Sequence, residues 1–72
     1  MAKPRRVEII FSERLRAEMN RQGVSVSKLS RMSGIGKSLI SAYLMADCAP
    51  TIINLRKIAN ALKVSSDFLI GI

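Results

Sequence analysis

An all-α domain of five short helices is what this sequence predicts, and three observations carry that reading. Apolar residues recur every three or four positions, the period of one helix face, and not every second position as in a strand. Helix-breaking stretches divide the pattern at Gly23, at Gly34-Ile35-Gly36 and at the loop Ala46-Asp47-Cys48-Ala49-Pro50. With 72 residues, 49% of them hydrophobic, the chain has material for one compact core and no more. Residues 1–72 therefore read as a single domain, of which 1–6 form a basic arm.

The arm carries Lys3, Arg5 and Arg6, and Pro4 favours an extended start or a first helical turn. A solvated tail is the ordinary fate of such a terminus. The first helix spans Val7 to Gln22, with Val7, Ile10, Phe11, Leu15 and Met19 on one face. It starts either near Val7 or later, with Ser12 as an N-cap, and the sequence leaves both open. Arg14, Arg16 and Arg21 fall on or near its polar side. Gly23 closes the helix as a C′ residue, and Ser25 is a natural N-cap for the next.

The second helix, Val26 to Ser33, turns Leu29 and Met32 inward and Ser27, Lys28 and Arg31 outward. Gly34 can take the left-handed conformation that ends it, having no Cβ to clash. Small Ser30 sits where the second and third helices cross closely. The third helix, Lys37 to Met45, packs Ile40, Tyr43 and Leu44, and leaves Lys37, Ser38, Ser41 and Ala42 on or near its outer face; Leu39 has either fate. After the loop, Thr51 caps a fourth helix, Ile52 to Lys63, whose buried stripe is Ile52, Leu55, Ile58, Ala59 and Leu62. Val64 packs behind it, and Ser65 starts a last short helix, Ser-Ser-Asp-Phe-Leu-Ile-Gly-Ile.

Twelve Lys and Arg against five Asp and Glu leave a net charge of +7, which in so short a chain points to an anionic partner. Several chemistries are poorly served. One cysteine, Cys48, makes no internal disulfide and fits a reducing cytoplasm. Without histidine, a zinc site lacks ligands and the serines lack a base, so neither a metal, a cofactor nor an enzymatic activity is expected. No apolar run reaches the ~18 residues that span a bilayer, and no long apolar region follows the basic start as in a secretory signal. The basic residues are spread over several elements, whereas a helix lying on an anionic membrane needs one continuous basic face.

The most informative departure is the outer face of the third helix. A merely solvated face favours Glu, Lys and Gln, which hold a helix better than serine. Here it is short, small and polar, which lets a backbone seat close to another surface. Together, Ser25 to Met45, with its small residue, glycine and apolar positions in register, resembles the helix-turn-helix of the phage repressor and Cro-type DNA-binding family. The stretch from Pro50 to Leu69 resembles the fourth and fifth helices of the same domain, so the likeness covers about Phe11 to Ile72.

The resemblance implies a five-helix, lambda-repressor-like fold that binds double-stranded DNA sequence-specifically with its third helix in the major groove. It implies a transcriptional regulator, a repressor of phage or bacterial genes, acting as a homodimer on a palindromic operator. Carried onto this chain, base reading falls to Lys37, Ser38, Ser41 and Ala42. Backbone contacts fall to Ser25, Ser27, Lys28, Gly36 and Asn54, with Lys3, Arg5 and Arg6 as an arm on phosphates. Val26 stands where many members have a glutamine that braces the DNA backbone, so that contact is not expected, and Leu44 stands where some members have a glutamate that pairs with an arginine at the Arg14 position, so Arg14 is expected to face solvent or DNA. Phe68, Leu69, Ile70 and Ile72 crowd the last helix; Phe68 and Leu69 match core positions, Ile70 and Ile72 are left near the surface, and the group is expected at a dimer contact. The ending resembles the point where longer repressors pass into a linker. The rival reading is a protein-binding module, an antitoxin or adaptor, using the same fold.

Overall fold

A computed structural model describes residues 6–72. The described residues form α1 (Val7–Gln22), α2 (Val26–Ser33), α3 (Lys37–Leu44), α4 (Ile52–Leu62) and α5 (Ser66–Leu69), with no strand among them. Lys3 and Arg5 lie outside the described residues, and Arg6 is the exposed N-cap of α1.

Local chemistry explains where the helices begin. Ser25, Thr51 and Ser65 are extended, and each side chain accepts the backbone N–H three residues on, from Lys28, Asn54 and Phe68 respectively. Ser12 is not such a cap. It lies buried inside α1, which runs from Val7, because the apolar face of α1 already starts there and extends past it. At Gly34 the chain is left-handed, φ 76°, and its N–H closes on the Ser30 carbonyl, so α2 stops and α3 can turn across it. Gly71 is also left-handed, and a Cβ there would sit 2.9 Å from Ile10 Cγ2. Only glycine lets the C-terminal turn lie this close to α1.

Two helices end one residue earlier than expected, α3 at Leu44 and α4 at Leu62. Met45 follows α3 outside the helix, before a left-handed Ala46, and Lys63 is itself left-handed, φ 58°, ending α4. Neither is glycine, so nothing local in the sequence marks the stop.

The core is one cluster: Phe11, Leu15 and Met19 of α1, Leu29 of α2, Ile40 and Tyr43 of α3, Leu55, Ile58, Ala59 and Leu62 of α4, Leu69 of α5, and Val24 and Ile35 from the turns. Phe11 meets Tyr43 edge to face, ring centroids 5.4 Å apart, a geometry that aligns ring edge with ring face and joins α1 to α3. Burying a side chain of this size stabilises by about 1.5–3 kcal/mol, which makes this cluster the main support of the fold.

Five apolar positions sit differently from their expected places. Val7 and Met32 are exposed, each on the rim of its helix face. Ile52 is 77% exposed, because the buried stripe of α4 starts one turn later, at Leu55. Phe68 is half out of the core, 38% exposed, with its outer ring face against the Arg14 guanidinium, 4.8 Å from the ring centroid. Ile70 is partly buried and packs on the core, whereas Ile72 is 84% exposed. Arg14 is therefore not free: its Nη1 also donates to the Phe68 carbonyl at 2.9 Å, and it fastens α5 to α1.

Candidate nucleic-acid interface

α2, its turn and α3 are held in one geometry by short polar side chains. Ser30 Oγ donates to the Ile35 carbonyl at 2.6 Å across the turn. Ser33 Oγ donates to the Leu29 carbonyl at 2.7 Å and accepts from the Ile35 N–H at 3.2 Å. Ile35 itself is buried and anchors the turn in the core. In the three-residue link the Gly34 and Ile35 N–H groups and the Ile35 carbonyl are thus partnered and the isoleucine side chain is packed, which fixes the angle at which α3 leaves α2.

Ile40 and Tyr43 point α3 into the core, so Lys37, Ser38 and Ser41 share the opposite, exposed face. Ala42 is half-buried at the edge of that face, and Leu39, one turn before it on the same side, is exposed. Ser25, Ser27, Lys28 and Gly36 are exposed around the starts of α2 and α3. Gly36 caps α3 from an extended backbone with no side-chain hydrogen bond, and a Cβ there would meet nothing within 4 Å. Asn54 is half-buried, and its Nδ2 donates to Tyr43 Oη at 3.0 Å, tying the start of α4 to α3. Val26 is half-buried against the core and offers no side-chain donor.

The charge on this surface has one sign. From Gly23 to Ala46 the chain contains Lys28, Arg31 and Lys37 and no acid. The five acids are Glu8, Glu13 and Glu18 on α1, Asp47 in the following loop and Asp67 on α5. An acid-free, basic, small-residue face on a rigid helix pair suits close approach to an anionic polymer.

Three side chains of α1 hold the ends of α3 and α4, a role their place in the sequence does not disclose. Ser12 Oγ and Arg16 Nη2 both donate to the Leu44 carbonyl, at 2.8 and 3.0 Å, and Arg16 was read only as a polar-side residue. Near the other end of α1, Gln22 Nε2 donates to the Leu62 carbonyl at 2.8 Å. A serine on an apolar helix face, one turn before an arginine, is the signal that was available for the first pair. No helix among the described residues is long and apolar enough to cross a membrane.

A scan against protein-family models matches residues 15–69 to the helix-turn-helix family, more than half of the chain and all of the α2–turn–α3 unit. No curated protein matches the sequence significantly. The family is one of DNA-binding rather than catalytic domains. The matched span, the five-helix order and the acid-free face of α3 agree, and the chain belongs to the Cro-type helix-turn-helix family: it is a DNA-binding domain of the kind that regulates transcription.

Proposed function

We propose that this chain reads a defined double-stranded DNA sequence with α3 in the major groove and represses phage or bacterial genes in the cytoplasm. The observation that carries the reading is the exposed, acid-free face of Lys37, Ser38 and Ser41 on a helix held by a hydrogen-bonded, packed turn. Lys37 donates to guanine O6 and N7, Ser38 and Ser41 serve either kind of base, and the edge of Ala42 offers its methyl to thymine. Ser25, Ser27, Lys28 and Gly36 lie where phosphates would pass, and Arg6 stands at the start of α1, with Lys3 and Arg5 preceding it. Asn54 shares that work through the second Nδ2 hydrogen, the first being donated to Tyr43 and its backbone N–H to Thr51.

The test is a selection of bound duplexes from a random pool, repeated with variants. Lys37→Ala should cost about 1–3 kcal/mol on the best duplex and relax preference at one base position. Lys28→Ala should weaken all duplexes alike and lower the salt slope by about one. An unchanged consensus with Lys37→Ala would remove Lys37 from base reading.

Two copies on a palindrome are the simplest way for one short helix to specify a long site. The proposed contact is the C-terminal turn, through exposed Phe68 and Ile72 with the outer edge of Ile70. Leu69 is fully buried and supports this surface from beneath rather than touching a partner. Such a contact is small, so the free dimer is weak and DNA strengthens it by holding both copies. Sedimentation of Ile72→Asp beside wild type, with and without the selected duplex, should show lost pairing and lost cooperativity; unchanged mass and cooperativity would exclude this contact.

A further inference from the structure

An α-helix leaves its last four carbonyls without intrahelical partners, and each one must be satisfied by something else. In α3 those carbonyls belong to Ser41, Ala42, Tyr43 and Leu44. The turn that follows satisfies three: Met45 N–H donates to Ser41 at 3.0 Å, Asp47 N–H to Ala42 at 3.0 Å and Ala46 N–H to Tyr43 at 3.1 Å. The fourth, on Leu44, receives Ser12 Oγ at 2.8 Å and Arg16 Nη2 at 3.0 Å. Both donors come from α1, four residues apart and so one above the other on the same face. α3 has no basic residue in its own last turn, so the cation that suits the negative end of its dipole is also supplied by α1.

We infer that Ser12 and Arg16 are positioning residues for base reading, a shared latch that fixes the tilt of α3 by gripping its last carbonyl. This rests on the proposal that α3 reads bases. The opposite end of α3 presents Lys37 and Ser38, and a helix of eight residues is about 12 Å long. A small rotation about the packed Ile40 and Tyr43 therefore moves the base-reading end by a comparable amount. Hydrogen bonds to base edges tolerate only a few tenths of an ångström and narrow angles, so a loosened latch degrades sequence preference before it degrades attraction to phosphate. Ser12 is buried, where a hydroxyl is unfavourable unless it is hydrogen-bonded, and its one recorded partner is this carbonyl.

The test compares a selected duplex with a scrambled one, well below the thermal midpoint of every protein used. Ser12→Ala and Arg16→Gln each leave one donor on the carbonyl, so each should reduce the selected-over-scrambled ratio modestly. The double variant orphans the carbonyl and should reduce it by roughly tenfold, more than the product of the single effects. Affinity for the scrambled duplex and the salt slope should hold, and Arg16→Lys, which keeps a cation and a donor, should restore most of the ratio. Gln22→Ala removes the corresponding grip on Leu62, at the end of α4, and should lower the thermal midpoint without changing the ratio. Arg16 is exposed, so Arg16→Gln folds and carries the test alone if the double variant loses its helical signal. A wild-type ratio in the double variant overturns the inference. So does equal weakening of both duplexes with a salt slope lower by about one, which would make Arg16 a phosphate contact. A wild-type chain that prefers no duplex overturns the base-reading proposal together with the latch.

Discussion

Glu18 shows how a single charged group is made tolerable against the core. Its carboxylate accepts Arg21 Nη2 at 2.7 Å and Nε at 3.1 Å, a two-pronged pair, and Gln22 Nε2 at 3.1 Å. The hydrogen bonds from Arg21 first, and then from Gln22, hold its carboxyl below the ordinary glutamate range. A carboxyl whose folded value is depressed binds its proton more readily in the unfolded chain. Its contribution is thus complete above the ordinary glutamate value and is lost as pH falls through the lowered one. Thermal midpoints of wild type and Glu18→Gln should differ at neutral pH and converge in acid; a gap that stays constant down to strongly acidic pH would show that the ionised pair contributes nothing. What the sequence discloses at this scale follows from reach. Gly34 and Ser25 are legible because the atoms they serve lie within a turn of them in the chain. Ser12 and Arg14 are not, because their carbonyl partners, Leu44 and Phe68, lie 32 and 54 residues away.

The same division runs through the elements. Helix starts are written locally, as Ser25, Thr51 and Ser65 show, since a side-chain oxygen and an N–H three residues on complete the cap. The ends of α3, α4 and α5 are also held from a distance. α1 supplies Ser12 and Arg16 to the end of α3, Gln22 to the end of α4 and Arg14 to a carbonyl of α5. One long helix thereby serves as a common stop for α3, α4 and α5. Those partners lie far away in the chain, so the expected ends of α3 and α4 fell one residue late. The stripe of α4 misled at its other end as well: Ile52 has the right spacing but lies in a turn where Thr51 and Ile53 are also exposed. Periodicity reports which residues share a face, and tertiary packing decides how far along that face the covering extends. The α2–turn–α3 unit was legible nearly whole, because its glycine, its small serine and its buried isoleucine are all local requirements of one tight crossing.

At the scale of the molecule, charge and shape are sorted together. The basic, acid-free stretch from Gly23 to Ala46 is the one whose helix presents serines outward, while the acids are kept on α1, α5 and the loop after α3. α1 carries three of the five acids, matched in number by Arg14, Arg16 and Arg21, and is also the frame on which the reading helix is hung. If that arrangement binds DNA as proposed, affinity divides into a salt-sensitive share from phosphates and a sequence-dependent share from α3. The most direct measurement is the affinity of the unmodified chain for a selected and a scrambled duplex across a salt series from dilute to physiological buffer. Log K should fall linearly with log salt for both, by about 0.9 per phosphate neutralised, and the selected duplex should stay tighter at every salt. Affinity that ignores salt, or two lines that coincide, would contradict sequence reading by α3.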